Sequence, residues 1–286
     1  MSRLWKWAAW AAAGVGGLAA VVVLGGFAAS EVLLRAPPGH VQGRSLAGVA
    51  GDADRGRAVA RRYGCFDCHA ANLQGRLFDD IPGVVVAYAP NLTLVAAGHS
   101  DADLERAIRH GVGADGRPLW IMPSAAFSHL TDQETADLIA LIRAAPAGGE
   151  VQPRFKLRPM ARVGALLGLF KSEPAVIAAH ANPELPDFGP ATSEGRDLAR
   201  ACVECHGQSL GGVAGGPLVT PDLTIAAAYD PEDFRRLMRT GVAAGGREVG
   251  LMTAVARNRF SDMSDADVAA LQAYLKARAD HKIAGR

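Results

Sequence analysis

All four cysteines of the chain lie in two short clusters of the form CxxCH, one in each half of the sequence. In each cluster the cysteines are three residues apart, so both thiols lie on one side of a helical turn, and a histidine follows directly. This spacing suits haem, because the thiols can bond the two vinyl groups along one haem edge while the histidine binds the iron. The pattern predicts two covalently attached haem c groups, held by Cys65, Cys68, His69, Cys202, Cys205 and His206.

Other uses of paired cysteines fit the sequence less well. A four-cysteine zinc site usually has about 15 to 20 residues between its pairs, whereas 133 residues separate Cys68 from Cys202. A thioredoxin-like CxxC requires a preceding strand, but residues 57–62 and 195–200 are predicted to be helical. Two disulfides would leave both histidines without a role. Haem attachment is the interpretation that uses every ligand type in the clusters.

The amino-terminal segment predicts export of the rest of the chain. Arg3 and Lys6 precede an uncharged stretch, residues 7–30, which as a helix is long enough to cross a membrane. A cleaved signal peptide has an apolar stretch of only about 7 to 15 residues. The length therefore favours an uncleaved single-pass anchor within residues 1–35 over a removed signal. The early positive charges place the amino terminus in the cytoplasm and the haem domains in the periplasm of a bacterium.

The length of 286 residues suits two domains of about 100 residues each, with connecting segments. We expect these domains at 52–145 and 193–286, joined by a linker at 146–192. The formal net charge is +1, and charged residues make up 21% of the chain. This balance lacks the basic excess of a nucleic-acid-binding protein, so no nucleic-acid partner is expected.

The two halves repeat one another after the CxxCH clusters, which indicates two domains of one architecture. The matched pairs are Leu73 with Leu210, Gly75 with Gly212, 90–93 with 221–224, 103–112 with 233–242, and 130–132 with 263–265. Ser100 with Asp103 and Thr131 with Glu134 form capping-box patterns, which predict helix starts. A helical domain of about 90 residues with few large side chains buries little apolar area, so a central haem would complete its core.

Each half is therefore predicted to contain, in order, a helix with CxxCH, a long loop, a middle helix, a loop with a methionine and a final helix. This order of elements resembles the class I cytochrome c fold over residues 52–145 and 193–280. The whole chain resembles the membrane-anchored dihaem cytochromes c that are related to the cytochrome subunits of periplasmic alcohol and sugar-acid dehydrogenases. The resemblance implies an all-α protein, with two tandem class I cytochrome c-like domains after an N-terminal transmembrane helix.

The resemblance also implies a partner for each axial histidine. The carbonyl groups of Pro90 and Pro221 are expected to accept a hydrogen bond from the imidazole and so to orient it towards the iron. One departure from the pattern leaves the packing of the first and last helices open. Gly56 lies nine residues before the first cysteine of its cluster, whereas Gly195 lies only seven before.

The ligand on the far side of each iron decides between an electron carrier and a haem enzyme, because a filled coordination shell leaves no place for a substrate. The favoured candidates are Met122 in the first domain and Met252 in the second. Each lies between a Gly-Val pair, at 111–112 or 241–242, and the last helix of its domain. Met238 and Met263 are expected to pack in the core, since aliphatic residues replace them in the first half.

Histidines are the rival ligands only in the first domain. His110 is expected to cap the end of a helix beside Gly111. His99 and His129 are expected on surface loops. No chemistry is assigned to the histidines outside the repeats, which are His40, His180 and His281.

The linker contains an apolar and basic stretch, residues 155–171, which is too apolar for a free tether. Pro159 predicts the start of a short helix there. In one interpretation this helix lies on the membrane or binds a partner enzyme. In the preferred one, Leu166, Leu167 and Phe170 pack against the two haem domains, because this buries the apolar patch within one chain.

These features predict an electron-transfer protein with no small-molecule substrate of its own, relaying electrons at the periplasmic face of the inner membrane. The expected partners are a dehydrogenase, a quinol-oxidising complex or an oxidase, together with the membrane that holds the N-terminal helix. Two alternatives remain. The chain could be the cytochrome subunit of a dehydrogenase complex, or a dihaem enzyme such as a peroxidase, which would require one iron with an open position.

Overall fold

In the computed structural model, which describes residues 3–39, 41–179, 185–215 and 219–285, the chain is mostly helical. The first helix, α1 (Arg3–Arg35), leaves nearly all of its side chains exposed. Among the described residues it is the one helix long and apolar enough to cross a membrane. An apolar helix with so little protein around it requires a non-aqueous environment, as either an anchor or a signal does.

The first CxxCH cluster lies in a domain of helices and one β-hairpin. Its elements are α2 (Ala53–Arg62), α3 (Cys65–His69), β1 (Arg76–Ile81), β2 (Val85–Ala89), α4 (Leu92–Gly98), α5 (Asp101–His110), α6 (Ser124–Phe127) and α7 (Asp132–Ala144). Both predicted capping boxes form, at Ser100 for α5 and at Thr131 for α7. The antiparallel hairpin is an addition to the predicted all-α domain. It turns at Pro82 and Gly83, and the φ of 77° at Gly83 favours glycine.

The linker is structured rather than free. It contains β3 (Lys156–Leu157), α8 (Pro159–Leu166) and α9 (Glu173–Ala179). β3 pairs with β2 and completes a three-stranded antiparallel sheet in the order β1-β2-β3. Helix α8 begins at Pro159, whose fixed φ suits the first position of a helix.

The prediction that Leu166, Leu167 and Phe170 pack against the two haem domains is wrong for both leucines, which are 42% and 68% exposed. Phe170 does pack, with its ring centroid 5.4 Å from that of a tryptophan in the first domain. The buried residues of α8 are Ala161 and Ala165. Helix α8 packs mainly against α1. Because small alanines allow close approach of helices, they occupy this contact and the leucines remain on the surface.

The second CxxCH cluster lies in a domain that repeats the helical elements of the first. Its helices are α10 (Ser193–Ala199), α11 (Val203–His206), α12 (Pro231–Thr240), α13 (Leu251–Val255) and α14 (Asp265–Ala284). Short 3-10 segments cover Arg200–Cys202 and Leu223–Ala228, and a π-helical turn covers Ala256–Phe260. A capping box at Ser264 begins α14, as Thr131 begins α7 in the first domain.

A close helix crossing organises each domain. Helix α2 crosses α7 at Gly56, where a Cβ would lie 2.0 Å from the carbonyl oxygen of Asp137. Helix α10 crosses α14 at Gly195, where a Cβ would lie 2.0 Å from the carbonyl oxygen of Ala270. The different spacing of the two glycines thus leaves the packing unchanged. The second domain absorbs the difference in its 3-10 segment at Arg200–Cys202.

The two domains pack against each other and are not joined by the linker alone. Their buried apolar side chains form one continuous cluster. At the boundary, α2 contacts the π-helical turn of the second domain, and Arg61 forms an ion pair with Asp262. Arg200 donates a hydrogen bond to the carbonyl oxygen of His129 at 3.0 Å. The boundary therefore lies beside the end of α2 that leads into the first CxxCH cluster.

The substitution Gly56→Ala should destabilise the protein strongly, because the added methyl group overlaps the backbone of α7. Overpacking of this kind costs about 1–3 kcal/mol and occasionally more. The free energy of unfolding from chemical denaturation measures the effect. Gly98→Ala is the matched control, since no atom lies within 4 Å of its added Cβ, and a change within about 0.5 kcal/mol is expected. Equal losses in both variants would contradict the close crossing.

Candidate haem-binding sites

The first CxxCH cluster presents its histidine to the interior of the domain. Gly64, in the left-handed conformation with a φ of 71°, begins the short helix that carries the cluster. His69 is buried, and its Nδ1 lies 3.0 Å from the carbonyl oxygen of Pro90. A carbonyl oxygen only accepts hydrogen bonds, so Nδ1 carries the proton and Nε2 keeps a free lone pair. The imidazole is thereby in the tautomer that can bind a metal through Nε2.

The second cluster has the same arrangement. His206 is buried at the end of α11, and its Nδ1 lies 2.9 Å from the carbonyl oxygen of Pro221. Thr220, the neighbour of Pro221, donates from its hydroxyl group to the carbonyl oxygen of Cys205 at 2.7 Å. Two adjacent residues, Thr220 and Pro221, therefore hold this loop against the cluster.

The loop after each histidine brings the proline into position. Leu73 and Leu210 adopt positive φ values of 60° and 57°, which are rare for leucine and occur at equivalent places. Gly75 follows, and its N–H donates to the carbonyl oxygen of His69 at 2.9 Å. A Cβ on Gly75 would lie 2.3 Å from the carbonyl oxygen of Ala89. Glycine at this position, and likewise Gly212 in the second domain, allows the proline segment to approach the histidine.

Burial favours the neutral forms of the thiols and imidazoles in both clusters. The four cysteines are free of disulfides. Burial raises the pKa of Cys65 and of Cys202 to about 12, so that both sulfur atoms are neutral thiols at physiological pH. Burial lowers the pKa of His69 and of His206, against the opposing effect of the proline carbonyls. Uncharged thioethers and neutral imidazoles, which haem c attachment requires, therefore fit these sites.

The predicted methionine ligands lie on the inner side of each domain. Met122 and Met252 are both half-buried against the hydrophobic cluster. Met122 lies in the irregular loop before α6, whereas Met252 lies within α13, so their backbones differ. Met238 is 3% exposed in the core, and Met263 packs against the same cluster. Both of these methionines have the packing role that was expected.

The histidines that were considered as alternative iron ligands make other contacts or lie on the surface. His110 is the last residue of α5, and its Nε2 lies 3.4 Å from a carboxylate oxygen of the fully buried Glu105. His99 is exposed, and His129 is half-buried with its carbonyl oxygen in a hydrogen bond. The ring of His281 lies against an aromatic ring, with 5.4 Å between centroids. Two further histidines lie outside the described residues: His40 and His180.

Arg259 lies between the two CxxCH clusters, and no sequence pattern pointed to it. Its Nε donates to Oδ2 of Asp67 at 2.8 Å, and its Nη1 donates to Oε2 of Glu204 at 2.7 Å. Asp67 and Glu204 each precede the second cysteine of a cluster. The Arg259 side chain is only 14% exposed. Gly64 makes room for it, because a Cβ there would lie 2.3 Å from the guanidinium carbon.

The charge of Arg259 is well defined. Burial alone would lower the pKa of its guanidinium group, but the carboxylates of Glu204 and Asp67 raise the pKa above its ordinary value. The side chain therefore remains a cation between two acids. The sequence did contain one sign of this contact, an acidic residue at the same position of both clusters. That sign does not identify Arg259 as the partner of the two acids.

Comparison with known proteins agrees with a protein that has two haem domains in tandem. The family model for cytochrome c matches residues 53–146 and 192–279. The two matches cover more than half of the chain, each over one CxxCH cluster and its surrounding helices. The chain belongs to the cytochrome c family.

Two relatives indicate which kind of cytochrome c the chain is similar to. The chain is 29% identical over 298 residues to a diheme cytochrome c-type protein of Cereibacter sphaeroides, covering 91% of this chain and 96% of the relative. It is 27% identical over 258 residues to the fructose dehydrogenase cytochrome subunit of Gluconobacter japonicus. That match covers 78% of this chain and 52% of the subunit, so the chain spans about half the length of this second relative. The chain is thus a dihaem electron-transfer protein with two covalently attached haem c groups.

Replacing Cys202 and Cys205 together by serine should leave one covalent haem per chain, because serine cannot form the thioether bonds. The intact mass should fall by about the mass of one haem, and the haem absorbance per chain should fall by about half. The matched variant carries Cys65→Ser and Cys68→Ser and should lose the other haem. A serine variant that still retains two haems after extraction with acidic acetone would show that attachment occurs elsewhere.

Proposed function

We propose that the chain relays single electrons between two six-coordinate haems. Cys65, Cys68 and His69 would hold the first haem, and Cys202, Cys205 and His206 the second. Met122 and Met252 would fill the remaining axial positions. Bound haem supplies an iron that changes its charge by one electron, and the surrounding residues tune the ease of that change.

The single observation that carries this proposal is the position of Arg259. Its guanidinium group contacts Asp67 and Glu204, each of which lies between the two cysteines of one cluster. The attachment segments of both haems are therefore within reach of one side chain. Two separate electron carriers in one chain would not require such a contact. A relay requires its two haems to be held close together in a fixed orientation, because electron transfer depends on both. The shared contact with Arg259 supports such an arrangement.

The protein's own residues have three tasks in this relay. Pro90 and Pro221 hold the axial histidines in one tautomer and orientation. The apolar cluster that both domains share keeps water from the buried histidines. Arg259 offsets two carboxylates that would otherwise lie unpaired beside the haem attachment points, where they would favour the oxidised, more positive iron.

The location of the relay is also part of the proposal. Helix α1 would remain as a single-pass anchor in the inner membrane of a bacterium, with Arg3 and Lys6 on the cytoplasmic side and both haem domains in the periplasm. The length of α1 and the exposure of its apolar side chains support an anchor. A removed signal peptide would be shorter.

A docking partner is the second element of the proposal. One relative is a fructose dehydrogenase cytochrome subunit, and this relationship favours a role as the electron-accepting subunit of a periplasmic dehydrogenase. The chain itself would carry no substrate chemistry, because a histidine and a methionine at each haem would leave neither iron an open position. This sets the proposed relay apart from a dihaem peroxidase, which needs an open position.

The substitution Met122→Ala should convert the first haem from a low-spin to a high-spin state and lower its midpoint potential. Loss of the thioether opens one axial position, and methionine ligation raises the potential. Visible absorption spectra and potentiometric titration measure the two effects. Met238→Leu replaces a buried methionine with no proposed ligand role and should leave both spin states unchanged. A low-spin Met122→Ala variant with an unchanged potential would assign the ligand to another residue.

The substitution Arg259→Ala should lower the midpoint potentials of both haems by on the order of tens of millivolts. It should also slow electron exchange between them, since the two clusters lose their common contact. Potentiometric titration measures the first effect, and rapid-mixing reduction followed at both haems measures the second.

Two control variants separate charge from position in this experiment. Arg257→Ala removes a nearby arginine whose partner is Glu248, 2.6 Å away, and should change neither quantity. Arg259→Lys keeps the positive charge but not the two-sided guanidinium contact, so the potentials should be largely retained and the exchange rate reduced. Unchanged potentials and an unchanged rate in Arg259→Ala would remove the support for a relay through this interface.

A further inference from the structure

An apolar surface remains in the linker after both haem domains are packed. It consists of five side chains within ten residues, here named the linker patch: Met160, Val163, Leu166, Leu167 and Leu169. Their exposed fractions range from 42% to 81%. Contiguous apolar surface of this kind is unusual on a soluble protein and marks an interaction site.

The linker patch has a defined position relative to α1. From helix α8, Arg162 Nη1 donates to the hydroxyl oxygen of Ser30 at 2.8 Å, and Nη2 lies 2.9 Å from a carboxylate oxygen of Glu31. The guanidinium group also lies over the ring of Phe27, 4.3 Å from its centroid. Ser30 is fully buried by this contact region. Helix α8 is therefore attached to α1 at one level, near its carboxyl end.

That level is where the edge of a bilayer around α1 would lie. The hydrocarbon core is about 30 Å thick and takes about 20 helical residues. Tryptophans favour the membrane interface, and α1 has exposed ones at Trp5, Trp7 and Trp10. About 20 residues beyond Trp10, the helix reaches Ser30. The contact between Arg162 and Ser30 thus lies where α1 would leave the hydrocarbon.

The charges around the linker patch fit a lipid surface. Residues 151–172 contain five cations and no aspartate or glutamate. Three of the cations form ion pairs with acids elsewhere in the chain, namely Arg154, Arg158 and Arg162, so the charge offered to a lipid surface comes from the two lysines. Lys156 and Lys171, on either side of α8, are exposed. An apolar helix face with flanking basic residues is the pattern of helices that lie in the membrane interface and attract anionic headgroups. A membrane surface also accounts for the level of the linker patch along α1, whereas a protein partner does not.

We propose that the linker patch inserts into the outer leaflet of an anionic phospholipid membrane and holds the first haem domain against it. This inference rests on the proposed anchoring by α1. Helix α8 is joined to the hairpin, because Met160 N–H donates to the carbonyl oxygen of Gly83 at 3.0 Å. The hairpin is joined to the first cluster through Arg76, which donates to the carbonyl oxygen of Asp67. Insertion would therefore set the orientation of the first CxxCH cluster relative to the membrane.

Photolabelling of the full-length, haem-loaded protein tests the proposal. The protein is placed in vesicles of phosphatidylcholine and phosphatidylglycerol that contain a phospholipid with a diazirine near the glycerol end of one acyl chain. A helix in the interface lies roughly 5–10 Å into the headgroup and acyl boundary, so this shallow probe reaches it. Trypsin releases residues 163–171, which contain most of the linker patch, together with 7–35 from α1 and 144–154 as a water-facing reference.

The expected result is lipid attachment on 163–171 and on 7–35, with many-fold less on 144–154. Attachment on 7–35 alone would overturn the inference while leaving the membrane anchor intact, since the linker patch would then face water or another protein. Attachment on none of the three segments would overturn the anchor as well as the inference.

A pair of charged substitutions sharpens the test. Leu167→Asp should reduce the lipid attachment on 163–171 several-fold, because an acid in the linker patch opposes insertion among anionic lipids. Val151→Asp alters a side chain of the linker that is also exposed but lies outside the linker patch, and it should leave that attachment unchanged. Both substitutions are on the surface, and unchanged haem absorption spectra verify folding. Equal attachment in the two variants would contradict the proposal.

Discussion

The hydrogen bond from each cluster histidine to a proline carbonyl is the contact on which both sites depend. It determines which imidazole nitrogen carries the proton and which faces the interior of the domain. Several unusual features exist around it, including leucines with positive φ and glycines packed against the proline segment. These features recur in both domains at the same offsets. A backbone acceptor does not titrate near neutral pH, so the orientation of the histidine is insensitive to pH in that range.

Arg259 gives the pair of domains an electrostatic link that neither has alone. The two acids and the half-buried Arg259 together carry a net charge of −1. Removing a single member of such a group is costly, because it leaves a partly buried charge without its partner. The same group lies between the cysteines of both clusters. One interaction thus contributes both to the packing of the domains and to the electrostatic environment of the haem attachment sites.

The two domains differ where they meet their surroundings. The first has the β-hairpin, to which the linker adds a third strand, and through it the domain is joined to α8 and α1. The second contributes the π-helical turn that carries Arg259 to the boundary. Such turns are often found at functional sites, because they displace one side chain from the regular helical path. The duplicated core therefore serves two different connections, one towards α1 and one between the clusters.

Much of this protein was determined locally in the sequence. The CxxCH spacing, the capping residues Ser100 and Thr131, and the helix start at Pro159 each act within about four residues, so their structures could be predicted. The Pro82-Gly83 turn carried a signal of the same kind, and the hairpin it forms could have been foreseen. The proline contacts were expected only from the resemblance to a family.

Only the tertiary structure decided how these parts meet. The exposure of Leu166 and Leu167 depends on which side of α8 packs against α1, and the docking of the two helices selects the side with the small alanines. The contacts of Arg259 join residues up to 192 positions apart. Such contacts depend on how two finished domains dock, and no local pattern records that arrangement. The sequence alone determined what each domain can bind, whereas the folded chain decided how the two sites face each other.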